Sequence, residues 1–138
     1  MPTTYPISAA YVDGQVLTAA NVNTIAGSIN DIAALQINAQ TGTTYTLALT
    51  DAAKVVTLTN ASAITLSINT DANVNFAIGT QIILYQGGAG QITVSATTPA
   101  TTSIRAQGSK NKSAGQYAIL CVMKMAANEW VVFGNTST

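Results

Sequence analysis

The sequence has little charge and no histidine. Five Lys and Arg residues balance five Asp and Glu residues among 138, and the charged fraction is 7%, against about 25% in an ordinary soluble domain. Without an imidazole there is no Ser-His-Asp triad and no histidine ligand for a metal. The five carboxylates stand in separate segments, so the sequence offers no adjacent pair for general acid-base catalysis. We therefore expect no enzymatic activity and no cofactor.

The cationic side chains are few and scattered. They run from Lys54 to Lys124 without forming a cluster, whereas a surface that neutralises phosphates needs a basic stripe. No apolar run approaches the roughly 20 residues that cross a bilayer, and no basic residue precedes Lys54, so a signal peptide is not expected. These patterns predict a protein that is made in a cytosol and binds neither nucleic acid nor membrane.

A single cysteine, Cys121, excludes an intrachain disulfide and lies in an apolar run, where it is typical of a small buried hydrophobe. With so few charges, Thr, Ser, Asn, Gln and Ala must cover the surface. Zero net charge also removes the repulsion that keeps copies of a protein apart. The composition therefore favours a chain that functions inside an assembly.

Residues 1–17 predict an extended N-terminal arm. Two prolines and the Asp13-Gly14 turn signal interrupt this segment, which has neither helical nor strand periodicity. The segment is either a disordered terminus or an arm that docks onto another surface, and its apolar content is higher than a solvated tail needs. The candidate docking residues are Tyr5, Ile7, Tyr11 and Val12.

Residues 18–38 predict one helix. Thr18 is a suitable N-cap, and four aliphatic residues follow at spacings of 3, 4 and 3. As a heptad, this stripe places Ile at the d positions, which favours three or four strands over a parallel dimer, so we expect a homotrimer. The alternative is a helix that packs on its own domain. The stripe consists of Val22, Ile25, Ile29 and Ile32.

Residues 41–138 predict a mainly β domain. Short runs rich in Thr, Val, Ile and Leu alternate with turn residues, a rhythm typical of an antiparallel β-sandwich or a jelly-roll-like domain. The glycine-rich segment 87–90 predicts a tight hairpin, and 126–128 predicts the last turn. The expected strands are 44–49, 54–59, 63–68, 80–86, 91–95, 102–106, 116–124 and 129–133.

The strands differ in how their apolar residues are spaced. Several alternate, with Thr, Ser or Ala between the apolar positions, and these should have one core face and one hydroxyl-rich face. The runs 82–85 and 118–123 are instead apolar at consecutive positions. We expect both faces of these two strands to be covered, one of them by a neighbouring subunit.

Two groups of residues are candidates for a ligand site. Asn69, Asp71, Asn73 and Asn75 alternate like calcium ligands, but the loop lacks the glycine and the bidentate glutamate that such a site needs, so we expect a turn and no metal. Trp130, with Tyr85 and Tyr117, suggests an aromatic platform for a sugar, but the position of Trp130 within a strand favours a core anchor.

The order of the β segments resembles a module of tailed-bacteriophage structural proteins. The resemblance covers nearly all of residues 41–134 and rests on TGTTYTL, DAAKVVTLTNASAITL, IGTQI, GAGQITV and EWVVFG; LTAANVN at 17–23 is similar to the openings of phage fibre and appendage chains. The resemblance implies a virion component that is usually trimeric and serves attachment or shell reinforcement. Fibre proteins generally have a long shaft, which 138 residues do not provide.

The first hypothesis is a homotrimeric head decoration (cement) protein, located on the head surface of the virion and synthesised in the cytoplasm of the bacterial host. Its partners are other copies of the chain and the major capsid protein or another virion protein. The alternative is a short head or tail fibre or spike module that binds host surface polysaccharide.

Overall fold

The computed structural model describes residues 34–138. The arm predicted at 1–17 and most of the helix predicted at 18–38 lie outside this range, as do both sets of predicted contact residues: Tyr5, Ile7, Tyr11 and Val12 in the arm, and Val22, Ile25, Ile29 and Ile32 in the stripe. Within it, Ile37 and Asn38, which the prediction assigned to the end of the helix, begin a β-strand. The β structure therefore begins four residues before the predicted boundary at 41.

Residues 34–138 form two β-sheets. All eight predicted strands are present, and six of them have bounds within one residue of the prediction. The strand predicted at 44–49 ends at Thr46, and the one predicted at 116–124 begins at Ile119. Three short strands, at 37–40, 112–113 and 136–137, were missed. The strands are β1 Ile37–Gln40, β2 Thr44–Thr46, β3 Val55–Leu58, β4 Ile64–Ile68, β5 Gln81–Gln86, β6 Ile92–Ala96, β7 Ser103–Ala106, β8 Lys112–Ser113, β9 Ile119–Ala126, β10 Glu129–Gly134 and β11 Thr136–Ser137. Two short 3-10 helices lie at Leu49–Asp51 and Gln107–Ser109, and no helix in this part of the chain is long and apolar enough to cross a membrane.

Both sheets are mixed, so the expectation of a purely antiparallel domain is wrong. The six-stranded sheet has the order β1-β3-β5-β9-β10-β7, and the five-stranded sheet has the order β11-β8-β6-β4-β2. Strands β1, β3 and β5 pair in parallel, as do β2, β4 and β6. From β1 to β9, each strand lies in the sheet opposite to the one before it, so the first six strands make three successive windings, each with one strand in either sheet.

The turns between the strands of each winding stack on one another. Asn60 donates from its side chain to the carbonyl of Thr41, 2.8 Å away, and the amide of Gly90 donates to the carbonyl of Asn60, also at 2.8 Å. A Cβ atom at Gly88 or Gly90 would overlap the backbone of the turn beneath. The segment 87–90 is therefore not the predicted hairpin, because it carries the chain from β5 in one sheet to β6 in the other.

The predicted turn at 126–128 is confirmed. It joins β9 to β10, which pair antiparallel, and Asn128 adopts a φ of 52°, a conformation that asparagine tolerates better than most residues. The inward side chains of both sheets form one apolar core, in which Phe76 packs edge-to-face on Trp130 with ring centroids 5.3 Å apart. Trp130 is 1% exposed, so its interpretation as a core anchor is confirmed.

Candidate functional site

The outer surface of the six-stranded sheet is mainly apolar, with Thr57 and Gln81 as polar members beside Tyr85 and Met123. One row of side chains crosses five adjacent strands at matched register: Ile37, Val55, Ile83, Cys121 and Phe133. Flanking rows hold the cross-strand pairs Tyr85–Ile119 and Met123–Val131. We call these nine residues the apolar face: Ile37, Val55, Ile83, Tyr85, Ile119, Cys121, Met123, Val131 and Phe133.

Several members of the apolar face are well exposed in the described structure. The exposed fraction is 68% for Ile37, 50% for Ile119 and 45% for Phe133, and the remaining six are half-buried against their neighbours in the sheet. Charged side chains on this side of residues 34–138 lie at the margins. Lys54 directly precedes β3, and Arg105 on the edge strand β7 pairs with Glu129 at 3.2 Å.

The centre of the apolar face comes from the two runs that are apolar at consecutive positions. The structure places them in β5 and β9, which are antiparallel neighbours with Ile83 opposite Cys121. Their inner members Ile82, Leu84 and Leu120 are fully buried, while the outer members form the middle of the face. That a neighbouring subunit covers these outer members stays a prediction.

The outer surface of the five-stranded sheet carries hydroxyl groups instead. Thr44, Thr65 and Thr93 align across β2, β4 and β6, and a second row consists of Thr46, Ser67 and Ser95. We call these six residues the hydroxyl face. The expectation that the alternating strands have a hydroxyl-rich outer side is confirmed, since their inner members Ile64, Leu66 and Val94 are buried.

The ammonium of Lys124 occupies the centre of the loop that has calcium-like spacing. Its Nζ donates to Asp71 Oδ1 at 2.7 Å, to the carbonyl of Phe76 at 2.7 Å and to Asn75 Oδ1 at 3.2 Å, and the side chain is 1% exposed. Three acceptors satisfy the three donors of an ammonium. Two of the four residues singled out by spacing, Asp71 and Asn75, therefore converge on a cation that the chain itself supplies.

The predicted turn in this loop is confirmed, because the amide of Asn73 donates to the carbonyl of Thr70 at 3.0 Å. Asn69 is not part of the cluster and accepts a hydrogen bond from Thr97. Partial burial of Asp71 acts to raise the pKa of its carboxyl, but hydrogen bonds from Lys124 and the amide of Asn128, with the positive charge of Lys124, outweigh it and lower that pKa.

A second carboxylate is enclosed beneath β1. Asp51 is 1% exposed and accepts hydrogen bonds from the side chain of Asn38 at 2.7 Å, the hydroxyl of Tyr45 at 2.8 Å and the amide of Ala48 at 2.9 Å. Burial raises the pKa of Tyr45, and the hydrogen bond to Asp51 and its negative charge raise it further. Sequence reasoning missed this network because Asn38 was assigned to a helix.

The described part of the chain therefore shows little charge to solvent. Of its eight charged side chains, four form the two ion pairs and Asp51 is enclosed by hydrogen bonds, which leaves three lysines without a carboxylate partner in residues 34–138. These are Lys54, Lys110 and Lys112. The three carboxylates of this part lie in separate places, each held by neighbouring groups.

Of the three aromatic residues that suggest a sugar platform, only the two tyrosines lie together. Tyr85 and Tyr117 stack with ring centroids 6.4 Å apart and planes 24° from parallel, and Tyr117 is 65% exposed. Trp130 faces the core and takes no part. This stacked pair lies at one end of the apolar face, where β5 ends and β9 begins.

Comparison of the chain with family models, with curated proteins and with solved structures gives no match. The function must therefore be argued from the residues and surfaces described above.

Proposed function

We propose that this chain is a structural protein of a tailed-phage virion, a homotrimeric decoration protein that binds and reinforces the head shell through its N-terminal region. The observation that carries the proposal is the outer surface of the β domain, which combines an apolar face with a hydroxyl face and shows few free charges. We interpret the two mixed sheets as a sandwich that presents these faces outward. The resemblance of residues 41–134 to phage structural modules supports the same proposal.

The mechanism is adhesion without catalysis. In residues 34–138, two of the three carboxylates are engaged inside the domain: Asp71 accepts a hydrogen bond from Lys124, and Asp51 accepts one from Tyr45. Each docking contact is apolar or a neutral hydrogen bond of modest strength, and three linked copies multiply the contacts by avidity. Since such contacts involve few ions, salt should weaken the attachment only slightly.

The proposal is tested on particles of the phage that encodes the chain. Quantitative mass spectrometry should find hundreds of copies per particle, and a cryo-EM map should place them on the head. Washing particles in rising salt should release little of the chain. A few to a few tens of copies, density confined to the tail, or steep release by salt would contradict a decoration role.

The second candidate is a short fibre or spike module that binds host surface polysaccharide. The stacked pair of half-buried Tyr85 and exposed Tyr117 favours it, because aromatic rings offer an amphipathic platform with polar hydroxyl groups at the edge. The full chain should then bind a glycan array or host cells, and Tyr117→Ala should abolish the binding while Thr65→Ala leaves it intact. Absence of any glycan or cell binding would remove this candidate.

A further inference from the structure

We propose that the apolar face is a contact surface between copies of this chain, with the faces of three copies meeting around a common axis. The inference deepens the proposed function, and the number three rests on it. The assignment of the face to a copy-copy contact rests on the structure, through the size of the face, its lack of charge and its shape.

The apolar face is continuous and large enough to contribute to an interface. Its central row spans five strands, which at about 4.8 Å per strand is about 19 Å, and three rows spaced about 7 Å apart give it a depth of about 14 Å. With protruding side chains, this amounts to a few hundred Å² of accessible apolar surface, which is the size of the largest apolar patch on a typical monomer and is often functional. Five of the eight large hydrophobic residues that are exposed in residues 34–138 lie on the face or extend it: Ile37, Tyr117, Ile119, Met125 and Phe133.

The lack of charge on the face limits the kind of partner that can bind there. A nucleic acid or an anionic membrane surface requires cations at the contact, and the face has none between its margins. A charged protein surface would lose its hydration there and gain no counter-charge, which costs several kcal/mol per ion. The partner must therefore be apolar and uncharged itself, a condition that a second copy of the same face meets, and two chains of zero net charge do not repel each other.

The shape of the apolar face also suits contact with the same face of another copy. A sheet surface is broad, and the side chains of two sheet surfaces that pack face to face interdigitate. A depression of about 360 Å³ beside Ile83 offers a seat for a protruding side chain of another copy. Its lining includes Leu35, Ala53 and Gly79 together with the polar residues Lys54, Thr80 and Gln81. A specific interface usually buries about 800 Å² on each partner, so we expect the face to act together with other contacts of the same trimer.

Cys121 allows the contact between copies to be tested by chemical cross-linking. It is the sole cysteine of the chain and lies in the central row, between Ile83 and Phe133. If the faces meet around an axis, the Cys121 thiols of neighbouring copies lie close together. A short bifunctional maleimide added to the full chain at mildly alkaline pH should then give a covalent dimer on a denaturing gel.

Three variants locate the contact. Ile83→Lys places an ammonium at the centre of the face. Ile119→Lys places one in a flanking row, at a side chain that is half exposed and therefore tolerant of change. The matched control Thr65→Lys places the same charge at the centre of the hydroxyl face. By sedimentation, the two face variants should raise the concentration for half-dissociation more than about 100-fold and lose the cross-link, since each copy would bury an unpaired charge. The control should keep both properties.

The inference is overturned if the wild-type chain sediments as a monomer, if its oligomer gives no Cys121 cross-link, or if Thr65→Lys dissociates it as readily as Ile83→Lys. Failure of the proposed function appears differently. A chain that cross-links through Cys121 but is missing from the head surface supports the inference and contradicts the decoration role. A chain that decorates heads but gives no cross-link supports the decoration role and contradicts the inference.

Discussion

The two outer faces of the β domain are built on similar backbones from different residues. In the five-stranded sheet, apolar and hydroxyl residues alternate, so Leu66 enters the core while Thr65 and Ser67 meet the solvent. In the six-stranded sheet, β5 and β9 are apolar on both sides, so Ile82 enters the core while Ile83 forms part of a second apolar surface. The low overall charge conceals this division: one face can remain hydrated through its hydroxyl groups, while the other gains free energy by being covered.

The largest expected effect concerns the core that both faces share. Lys124 lies on the inner side of β9, directly after Met123 of the apolar face, and Asp71→Asn would leave its ammonium without a counter-charge. We expect a loss of about 3 kcal/mol in the free energy of unfolding, because breaking a buried pair leaves a desolvated charge. Urea unfolding followed by the fluorescence of the buried Trp130 measures the loss. Glu129→Gln, the same change in an exposed pair, should cost far less.

The same pair gives a pH dependence of known sign. The pKa of Asp71 is lower in the folded protein than its ordinary value of 3.8. Its contribution to stability is therefore fully present above about pH 4 and is lost as the pH falls through the folded pKa. The stability difference between wild type and Asp71→Asn should shrink over this acidic range, and a difference that stays constant down to about pH 2 would contradict the role assigned to the ion pair.

The contrast between the faces can be broken by exchanging their residues. Replacing Ile37 and Phe133 by Thr gives the apolar face two hydroxyl groups and should weaken self-association by about tenfold or more, since each exposed side chain forfeits about 1 kcal/mol of burial. Replacing Thr44 and Thr65 by Ile should create new association through the hydroxyl face. Light scattering over a concentration series measures both changes.

The matched control for this exchange is Leu49→Thr, which alters a residue of similar exposure that belongs to neither face. It should leave self-association unchanged. An equal loss of association from Leu49→Thr and from the Ile37 and Phe133 exchange would show that general surface apolarity, and not the apolar face, causes association.

The smallest expected effect lies at the margin of the apolar face. Arg105 and Glu129 form an ion pair in which Arg105 is 67% exposed, and such pairs contribute between about 0 and 1 kcal/mol. Arg105→Gln should therefore change the free energy of unfolding, measured in urea, by less than about 1 kcal/mol. It should leave the Cys121 cross-link intact. A loss of the cross-link would place the contact at the margin of the sheet and not at its centre.

Residue patterns within single strands predicted the strands well but not their partners. The alternation in 44–49 or 63–68 is the same whether a strand pairs in parallel or antiparallel, so the expectation of an antiparallel domain had no local signal to correct it. The three missed strands have between two and four residues, too few for a period to show. The 87–90 segment was mistaken for a hairpin because its glycines are required by the turn beneath, which is distant in sequence.

The candidate site was predicted in part for the same reason. The apolar runs 82–85 and 118–123 indicated two strands with a second face to cover, and the structure confirms that their outer members are apolar and either half-buried or, at Ile119, exposed. Adding Ile37 and Phe133 to the same row required the register of five strands, which no single segment encodes. The buried Lys124 was likewise hidden, because its three acceptors lie about 50 residues earlier in the chain.

The stacked turns also bear on how such a chain can change in length. Because each turn is hydrogen-bonded to the one below, Asn60 to Thr41 and Gly90 to Asn60, a further winding inserted between them would need a turn that offers a matching donor and acceptor. The two faces would each widen by one strand, with their chemistry preserved. An architecture of stacked windings can therefore lengthen by whole windings, because each winding contacts only its neighbours.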